Sequence, residues 1–212
     1  MNDPAASDTP SDVDLMVPGT LFVLAELQAM TIDGVLAPVF GQAFHPAGAV
    51  ETPGLRAAAL AFHVPAALAH RAALGQLSAA WVYGCASPPQ VISLLQGHGG
   101  KSASLPPFSG CTLRQVNLEA GDVQTIGGIQ VTGPLRTALD VARTAPEDIA
   151  REVLERMAAR AALRCPLERV GEALRTAAHV PGKLRGQELL RGMLQRRPGA
   201  VIQARRWEPV ER

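Results

Sequence analysis

Hydrophobic and polar positions follow a helical period at the start of the chain and then change to a strand period. In the stretch LFVLAELQAMTIDG the apolar residues recur at helical spacing and Gly34 ends the run, so we expect a helix there. The spaced residues are Leu21, Leu24, Leu27 and Ile32. The next stretch, VLAPVFGQAFHPAG, predicts a short hairpin that turns at Gly41. We therefore expect a small helix-and-hairpin module over residues 15–50.

The middle of the chain mixes helical and strand patterns. Two alanine- and leucine-rich stretches, TPGLRAAALAFHVPAAL and AHRAALGQLSAAWVYG, predict helices that are broken at Pro65 and end at Gly84. Strand character follows in PPQVISLLQG, CTLRQVNLE and IGGIQVT. The glycine-rich segment GHGGKSASLPPFSG lacks the spacing of a phosphate-binding loop, so it predicts a flexible connection.

From Pro134 onwards the pattern is helical. Pro146 and Pro166 suit first helical turns, because the N–H that proline lacks would have no partner there. The expected helices cover about residues 134–144, 146–163, 166–178 and 184–196. A small β-sheet followed by helices makes the fold class α+β. We divide the chain into a disordered acidic tail over residues 1–14, the module over 15–50, a main domain over 51–197 and a basic tail over 198–212.

Composition limits the functions that the chain can have. With 212 residues and 47% hydrophobic residues, it can bury a sizeable core, and no apolar run approaches the length of a membrane span. Its three cysteines form no C-x-x-C pair and their odd number argues against a disulfide framework. The five histidines are scattered, so we expect neither a metal site nor a cofactor. These features favour a cytoplasmic protein without catalytic activity.

Charge is distributed unevenly along the sequence. From Met1 to Leu55 there is no Lys or Arg and the net charge is −7, whereas the remainder carries +8. Because DNA is a polyanion, we expect any DNA binding to come from the carboxy-terminal helices. The candidate DNA contacts are Lys183, Arg185, Arg191, Arg196, Arg197, Arg205 and Arg206. The alternative interpretation is an ordinary solvated helical surface.

The stretch IGGIQVTGPLRTALDVAR compresses a strand, a helix start and an ion pair into 18 residues. Thr132 can accept a hydrogen bond from the first helical turn, and Pro134 suits the first helical position. Arg136 and Asp140 lie four residues apart and share one helix face, so we expect them to pair as a structural clasp. The motif residues are Thr132, Pro134, Arg136, Thr137 and Asp140. A nuclease alternative would depend on Asp122 and Asp140.

These motifs resemble the AbiEi-type family of antitoxins and transcriptional regulators of type IV toxin–antitoxin systems. The resemblance is carried by GGIQVTGPLRTALDVAR, by VNLEAGDVQT before it and by PEDIAREVLERMAARAAL after it. Upstream, LAELQAMTIDGVLAPVFGQAFHPAG is similar to the recognition helix and wing of that family, and the resemblance covers about residues 20–197. It implies a winged-helix module, an antitoxin domain and a nucleotidyltransferase-like toxin as partner.

Two departures from the family change the expected function. The winged helix is expected to be a truncated remnant, and its reading surface offers only Gln28 and Gln42 for base contacts. The nuclease extension of some longer relatives is expected to be absent, since the chain stops at Arg212. We expect an antitoxin that neutralises a nucleotidyltransferase-type toxin and regulates its own operon. The alternatives are a DNA-binding regulator without a toxin partner, a decayed remnant of a longer regulator-nuclease, and an enzyme.

Overall fold

The computed structural model describes residues 15–98, 104–177 and 180–196. The chain forms two compact units, Met1–Gly133 and Pro134–Arg212. Both β-sheets belong to the first unit, and the described part of the second unit is helical, which confirms the predicted α+β class. The expected tails over residues 1–14 and 198–212 lie outside the described residues.

The first unit begins with a helix and a hairpin, as predicted. Helix α1 spans Leu24–Ile32, and strands β1 (Leu36–Phe40) and β2 (Ala43–Pro46) pair antiparallel around Gly41. Gly41 has a φ of 56°, a left-handed conformation that favours glycine. Met16 adds to the hairpin, since its N–H and C=O bond to the backbone of Phe44 at 2.8 and 2.9 Å.

The predicted apolar stripe of α1 is partly wrong. Leu27 is fully buried and packs with Leu36 and Phe44, but Leu21 lies before the helix and is 84% exposed, and Ile32 is 86% exposed. The helix carries apolar residues on its outward side as well, so spacing alone did not identify the buried face.

The next segment contains three helices. It also contains one short strand, which the sequence pattern did not predict. Helix α2 (Pro53–His63) begins where the Thr52 hydroxyl accepts the N–H of Leu55 at 3.1 Å. The helices after it are α3 (Ala66–Ala69) and α4 (Gln76–Val82), and between them lies strand β3 (Ala73–Leu74). The single helix predicted over residues 69–84 is therefore wrong in its first part, which contains strand β3. Pairing with neighbouring strands overrides the alanine-rich helical pattern there.

A five-stranded mixed sheet completes the first unit. Its further strands are β4 (Ile92–Gly97), β5 (Cys111–Val116), β6 (Val123–Ile126) and β7 (Ile129–Thr132). The strand order is β5-β4-β3-β7-β6. β4 and β5 run parallel, as do β3 and β7, while β3–β4 and β6–β7 are antiparallel. β6 was not predicted; it pairs with β7 around a turn at Gly127 and Gly128, both with positive φ.

The second unit contains the four predicted helices. They are α5 (Pro134–Thr144), α6 (Glu147–Ala159), α7 (Leu167–Thr176) and α8 (Lys183–Gln195). The predicted helix over 146–163 ends earlier because Arg160 is extended, and a short 3₁₀ turn at Ala161–Leu163 follows. Buried side chains on facing helices, among them Val141, Met157, Leu174 and Leu190, form the core of this unit.

Candidate functional site

The strand that leads into the second unit is fixed by a buried hydrogen-bonded tyrosine. The Tyr83 hydroxyl donates to the carbonyl oxygen of Thr132 at 2.6 Å and accepts the side-chain N–H of Gln124 at 2.8 Å. Burial raises the pKa of Tyr83 to about 12, although the Gln124 bond opposes this shift. Thr132 itself is buried at the end of β7. The Tyr83 hydroxyl therefore holds the carboxyl end of β7 in place.

Asp140 is held by arginines from both directions along α5. Its carboxylate accepts the Arg136 Nε–H at 2.9 Å and also pairs with Arg143 one turn later. Asp140 is only 3% exposed, and both arginines are mostly buried. The predicted Arg136–Asp140 pair is present, and Arg143 is a third member that the sequence prediction missed. A carboxylate bound on two sides by guanidinium groups is poorly placed to bind a metal ion.

The remaining motif residues lie where a structural role requires them. Pro134 is the first residue of α5, as predicted. Thr137 is fully buried on the same helix. Asp122, the other acidic residue of the nuclease alternative, accepts the N–H of Glu119 at 3.0 Å and so stabilises the turn before β6. Each of these positions contributes to local structure.

Arg143 also connects the end of α5 with the chain that precedes α8. Its guanidinium donates to the carbonyl oxygens of Leu139 and Pro181, each at 3.3 Å. Gly182, with a φ of 78°, lies so close that a Cβ there would be 2.5 Å from the Arg143 carbonyl oxygen. The turn into α8 is thus packed directly against the last turn of α5.

Two predicted DNA contacts make hydrogen bonds to helix ends. Lys183 donates to the carbonyl oxygens of Arg175 and Ala177 at 3.0 and 2.5 Å, at the end of α7. Arg185 donates to the carbonyl oxygens of Arg143 and Ala145 at 3.4 and 2.5 Å, at the end of α5. Carbonyl groups at a helix end carry partial negative charge, so cations stabilise them.

The other predicted DNA contacts divide into two sets. Arg191 and Arg196, on and just after α8, are exposed to solvent. Arg197, Arg205 and Arg206 lie outside the described residues. Arg185 is exposed too, but its guanidinium is bonded to the end of α5, so Arg191 and Arg196 remain as the described candidates for DNA contact.

Acidic neighbours neutralise much of the positive surface on α6 and α7. Arg151 pairs with Glu147 at 2.8 Å, Arg156 with Glu152 at 2.5 Å, and Arg175 with Glu172. These are surface pairs three or four residues apart on one helix, which contribute little stability but reduce the local potential. A polyanion would therefore experience a weaker attraction than the residue count suggests.

Metal-binding clusters and membrane-spanning helices are both missing from the described residues. In the ranges that the structure describes, no group of three or more His, Cys, Asp or Glu side chains comes together to hold a metal ion. Within the same ranges, no helix is long and apolar enough to cross a membrane.

Comparisons with known proteins identify the family. The AbiEi antitoxin C-terminal domain matches residues 71–192, which is more than half of the chain. A solved structure, the RV2827C protein from Mycobacterium tuberculosis, is similar with 18% identity and a TM-score of 0.42, covering 88% of this chain and 70% of that one. None of the curated proteins matches significantly. Because this match covers more than half of the chain, the chain belongs to the AbiEi antitoxin family.

Proposed function

We propose that the protein is a non-catalytic antitoxin that neutralises a nucleotidyltransferase-type toxin. The observation that carries this proposal is the match of residues 71–192 to the AbiEi antitoxin C-terminal domain. The matched residues include β3–β7 and α5–α7 together with most of α8. The match covers part of each of the two units, and we assign the protein's function to the matched domain.

The chemistry of the acidic residues supports a binding role. The carboxylate of Asp140 is paired with Arg136 and Arg143, and that of Asp122 bonds to a backbone N–H. A metal-dependent nuclease needs carboxylates that are free to coordinate ions. Both acids of the nuclease alternative are engaged in structural contacts, which favours an antitoxin that acts by binding.

Co-expression tests the antitoxin proposal directly. The nucleotidyltransferase reading frame that this proposal expects next to the gene is induced in a host cell with and without the wild-type protein. We expect the toxin alone to arrest growth and the wild-type protein to restore it. Wild-type protein that is folded and abundant but leaves growth arrested would contradict the proposal.

A second candidate function is DNA-binding regulation of the protein's own operon. The order of α1, β1 and β2 favours it, because a helix followed by a hairpin is the arrangement of a recognition helix and wing. The absence of Lys and Arg from Met1 to Leu55 weighs against that surface as the main phosphate contact. We therefore assign phosphate contact to the carboxy-terminal region, with Arg191 and Arg196 as its described members.

DNA binding is tested by titrating the protein against its own upstream region and against random DNA of equal length. Tighter binding to the upstream region supports the regulator, whereas equal affinity for both DNAs contradicts it. A gene without a neighbouring toxin, combined with specific DNA binding, would favour the regulator over the antitoxin.

A further inference from the structure

One edge of the five-stranded sheet is the strand β5, whose outer side carries a regular row of hydrogen-bonding groups. β5 is the first strand in the order β5-β4-β3-β7-β6, and it pairs with β4 alone. The Ile92 N–H of β4 donates to the carbonyl oxygen of Gly110 at 2.9 Å, and Ile92 is in register with Cys111. Successive residues of a strand point their backbone groups to opposite sides. The N–H and C=O groups of Cys111, Leu113 and Gln115 therefore point away from β4.

These outward groups are unused in the described part of the chain. The backbone hydrogen bonds that β5 makes there all go to β4, and the turn and loop bonds of the described residues do not include residues 111–116. Thr112, Arg114 and Gln115 are exposed, and the strand contains no proline and a single charge. It thus lacks most of the features that close the edges of other sheets. N–H and C=O groups at strand spacing are complementary to a second extended strand.

A second copy of β5 is complementary to the first when it runs antiparallel. A twofold axis at Leu113 places Leu113 opposite itself, Cys111 opposite Gln115 and Thr112 opposite Arg114. Every outward N–H and C=O group of Cys111, Leu113 and Gln115 then has a partner, and no like charges meet. An axis at Arg114 would oppose two arginines and leave Cys111 outside the paired strands. Charge and hydrogen bonding therefore select the same register.

From this geometry we infer that two copies of the chain join edge to edge through β5, antiparallel and with Leu113 on the twofold axis. The two sheets then form one continuous sheet, and each copy presents the same surface to the other, as a twofold dimer requires. The inference goes beyond the proposed function, because it concerns how copies of the chain assemble. A strand of six residues is only about 20 Å long. The buried area lies at the low end of specific interfaces, so we expect a weak dimer in the micromolar range.

An engineered cysteine tests the register. In Gln115→Cys, the new thiol of each copy lies opposite the native Cys111 of the other, at a Cα separation of about 5.5 Å that a disulfide can span. Within one chain the two positions are about 13 Å apart along the strand, so they cannot join. We expect copper-catalysed air oxidation at micromolar protein concentration to convert this variant to a covalent dimer. Cys85 and Cys165 are buried and should not react.

Matched cysteine variants are the controls. Gln115→Cys combined with Cys111→Ser keeps the new thiol but removes its partner, so the covalent dimer should disappear. Thr112→Cys and Arg114→Cys should each stay monomeric on oxidation when alone. A mixture of the two should link, because these positions face each other across the twofold axis. Gln115→Cys protein that stays monomeric on oxidation, or a covalent dimer that persists without the Cys111 thiol, overturns the inference.

Replacement by proline tests the hydrogen bonds themselves, with sedimentation velocity over a concentration series as the measurement. Gln115→Pro removes an outward N–H and no bond to β4, a position that tolerates proline in an edge strand. It should raise the dissociation constant by at least about tenfold, because the twofold axis removes two hydrogen bonds at once. Gln115→Ala loses the same side chain but keeps the N–H, and its dissociation constant should stay within about twofold of wild type.

Thermal melting checks that both variants of Gln115 remain folded, and if Gln115→Pro unfolds, the cross-linking result alone decides. Wild-type protein that stays monomeric at several hundred micromolar overturns the inference. So does folded Gln115→Pro protein that dimerises as well as wild type.

Discussion

The guanidinium of Arg185 donates a hydrogen bond to the carbonyl oxygen of Ala145 at 2.5 Å, across 40 residues of sequence. A cation in the first turn of α8 faces the positive end of its own helix dipole, which is unfavourable. Its contact with the negative end of α5 offsets this cost. The residue that looked like a DNA contact in the sequence thus has a role in assembling the helices of the second unit.

We expect Arg185→Ala to destabilise the protein by about 0.5–1.5 kcal/mol, since hydrogen bonds to a helix end are lost but the side chain is itself exposed to solvent. Chemical denaturation measures the change. Arg196→Ala, at an exposed position beyond α8, is the control and should fall within about 0.5 kcal/mol of wild type. Equal stability of the two variants would contradict the structural role of Arg185.

Substitutions in the ion-pair cluster of Arg136, Asp140 and Arg143 should cause a large and non-additive loss of stability. Asp140→Ala leaves the charges of Arg136 and Arg143 uncompensated, so we expect a cost of about 3–5 kcal/mol. Arg136→Ala should cost less, because Arg143 still pairs with the carboxylate. The double variant Arg136→Ala with Asp140→Ala should be more stable than the sum of the single effects predicts. Additive losses close to zero in thermal melting would show that the pair is only a surface contact.

Replacing Gly182 by alanine tests the backbone packing of the turn into α8, and the same replacement at Gly192 serves as the comparison. Gly182→Ala should destabilise by at least about 1–3 kcal/mol, because an alanine there has a left-handed φ and approaches the Arg143 carbonyl oxygen. Gly192→Ala should instead stabilise by about 0.5–1 kcal/mol, since Gly192 lies inside α8 with open space around it. The melting temperatures of the two variants should therefore move in opposite directions. A Gly182→Ala variant as stable as wild type would contradict the close packing at this turn.

Because Tyr83 is buried, we expect the stability of the protein to fall at high pH as this side chain ionises. Its pKa rises from 10.0 to about 12 in the folded protein, so the folded state disfavours the charged form. The stabilising contribution of the neutral hydroxyl is complete below pH 10 and is lost as the pH rises through about 12. Tyr83 is the single tyrosine of the chain, so tyrosinate absorbance reports on it alone. We expect a native midpoint near 12 and an unfolded midpoint near 10; equal midpoints would contradict the burial of this hydroxyl.

DNA binding, where it occurs, should depend on Arg191 and Arg196. Each Arg→Ala change should reduce the slope of log affinity against log salt concentration by about one, without changing sequence preference. Gln28→Ala and Gln42→Ala, on the amino-terminal module, should leave both quantities unchanged. A salt titration with upstream and random DNA measures them. Specific binding that Gln28→Ala abolishes and the arginine variants leave intact would restore the amino-terminal module as the reading surface.

Local signals in the sequence predicted the elements that depend on neighbouring residues. Pro134 gave the start of α5, and the helical period gave the four helices of the second unit. β3 was missed because two residues, Ala73 and Leu74, are too few to show a strand period. The role of Arg185 was missed because its acceptors are about 40 residues away, and no local pattern records such a contact. Arg143 could have been found, since it lies three residues after Asp140 on the same helix.

The shortness of β3 has a consequence for the way the sheet opens. Within the described residues, Ala73 and Leu74 alone join the β4–β5 pair to the β6–β7 hairpin. A local fluctuation that releases these two residues divides the sheet into two separate halves, each still paired internally. Amide protons on either side would then exchange with solvent in two groups with different protection. The centre of this sheet is therefore its weakest pairing, whereas the central strand of a sheet is usually its most protected one.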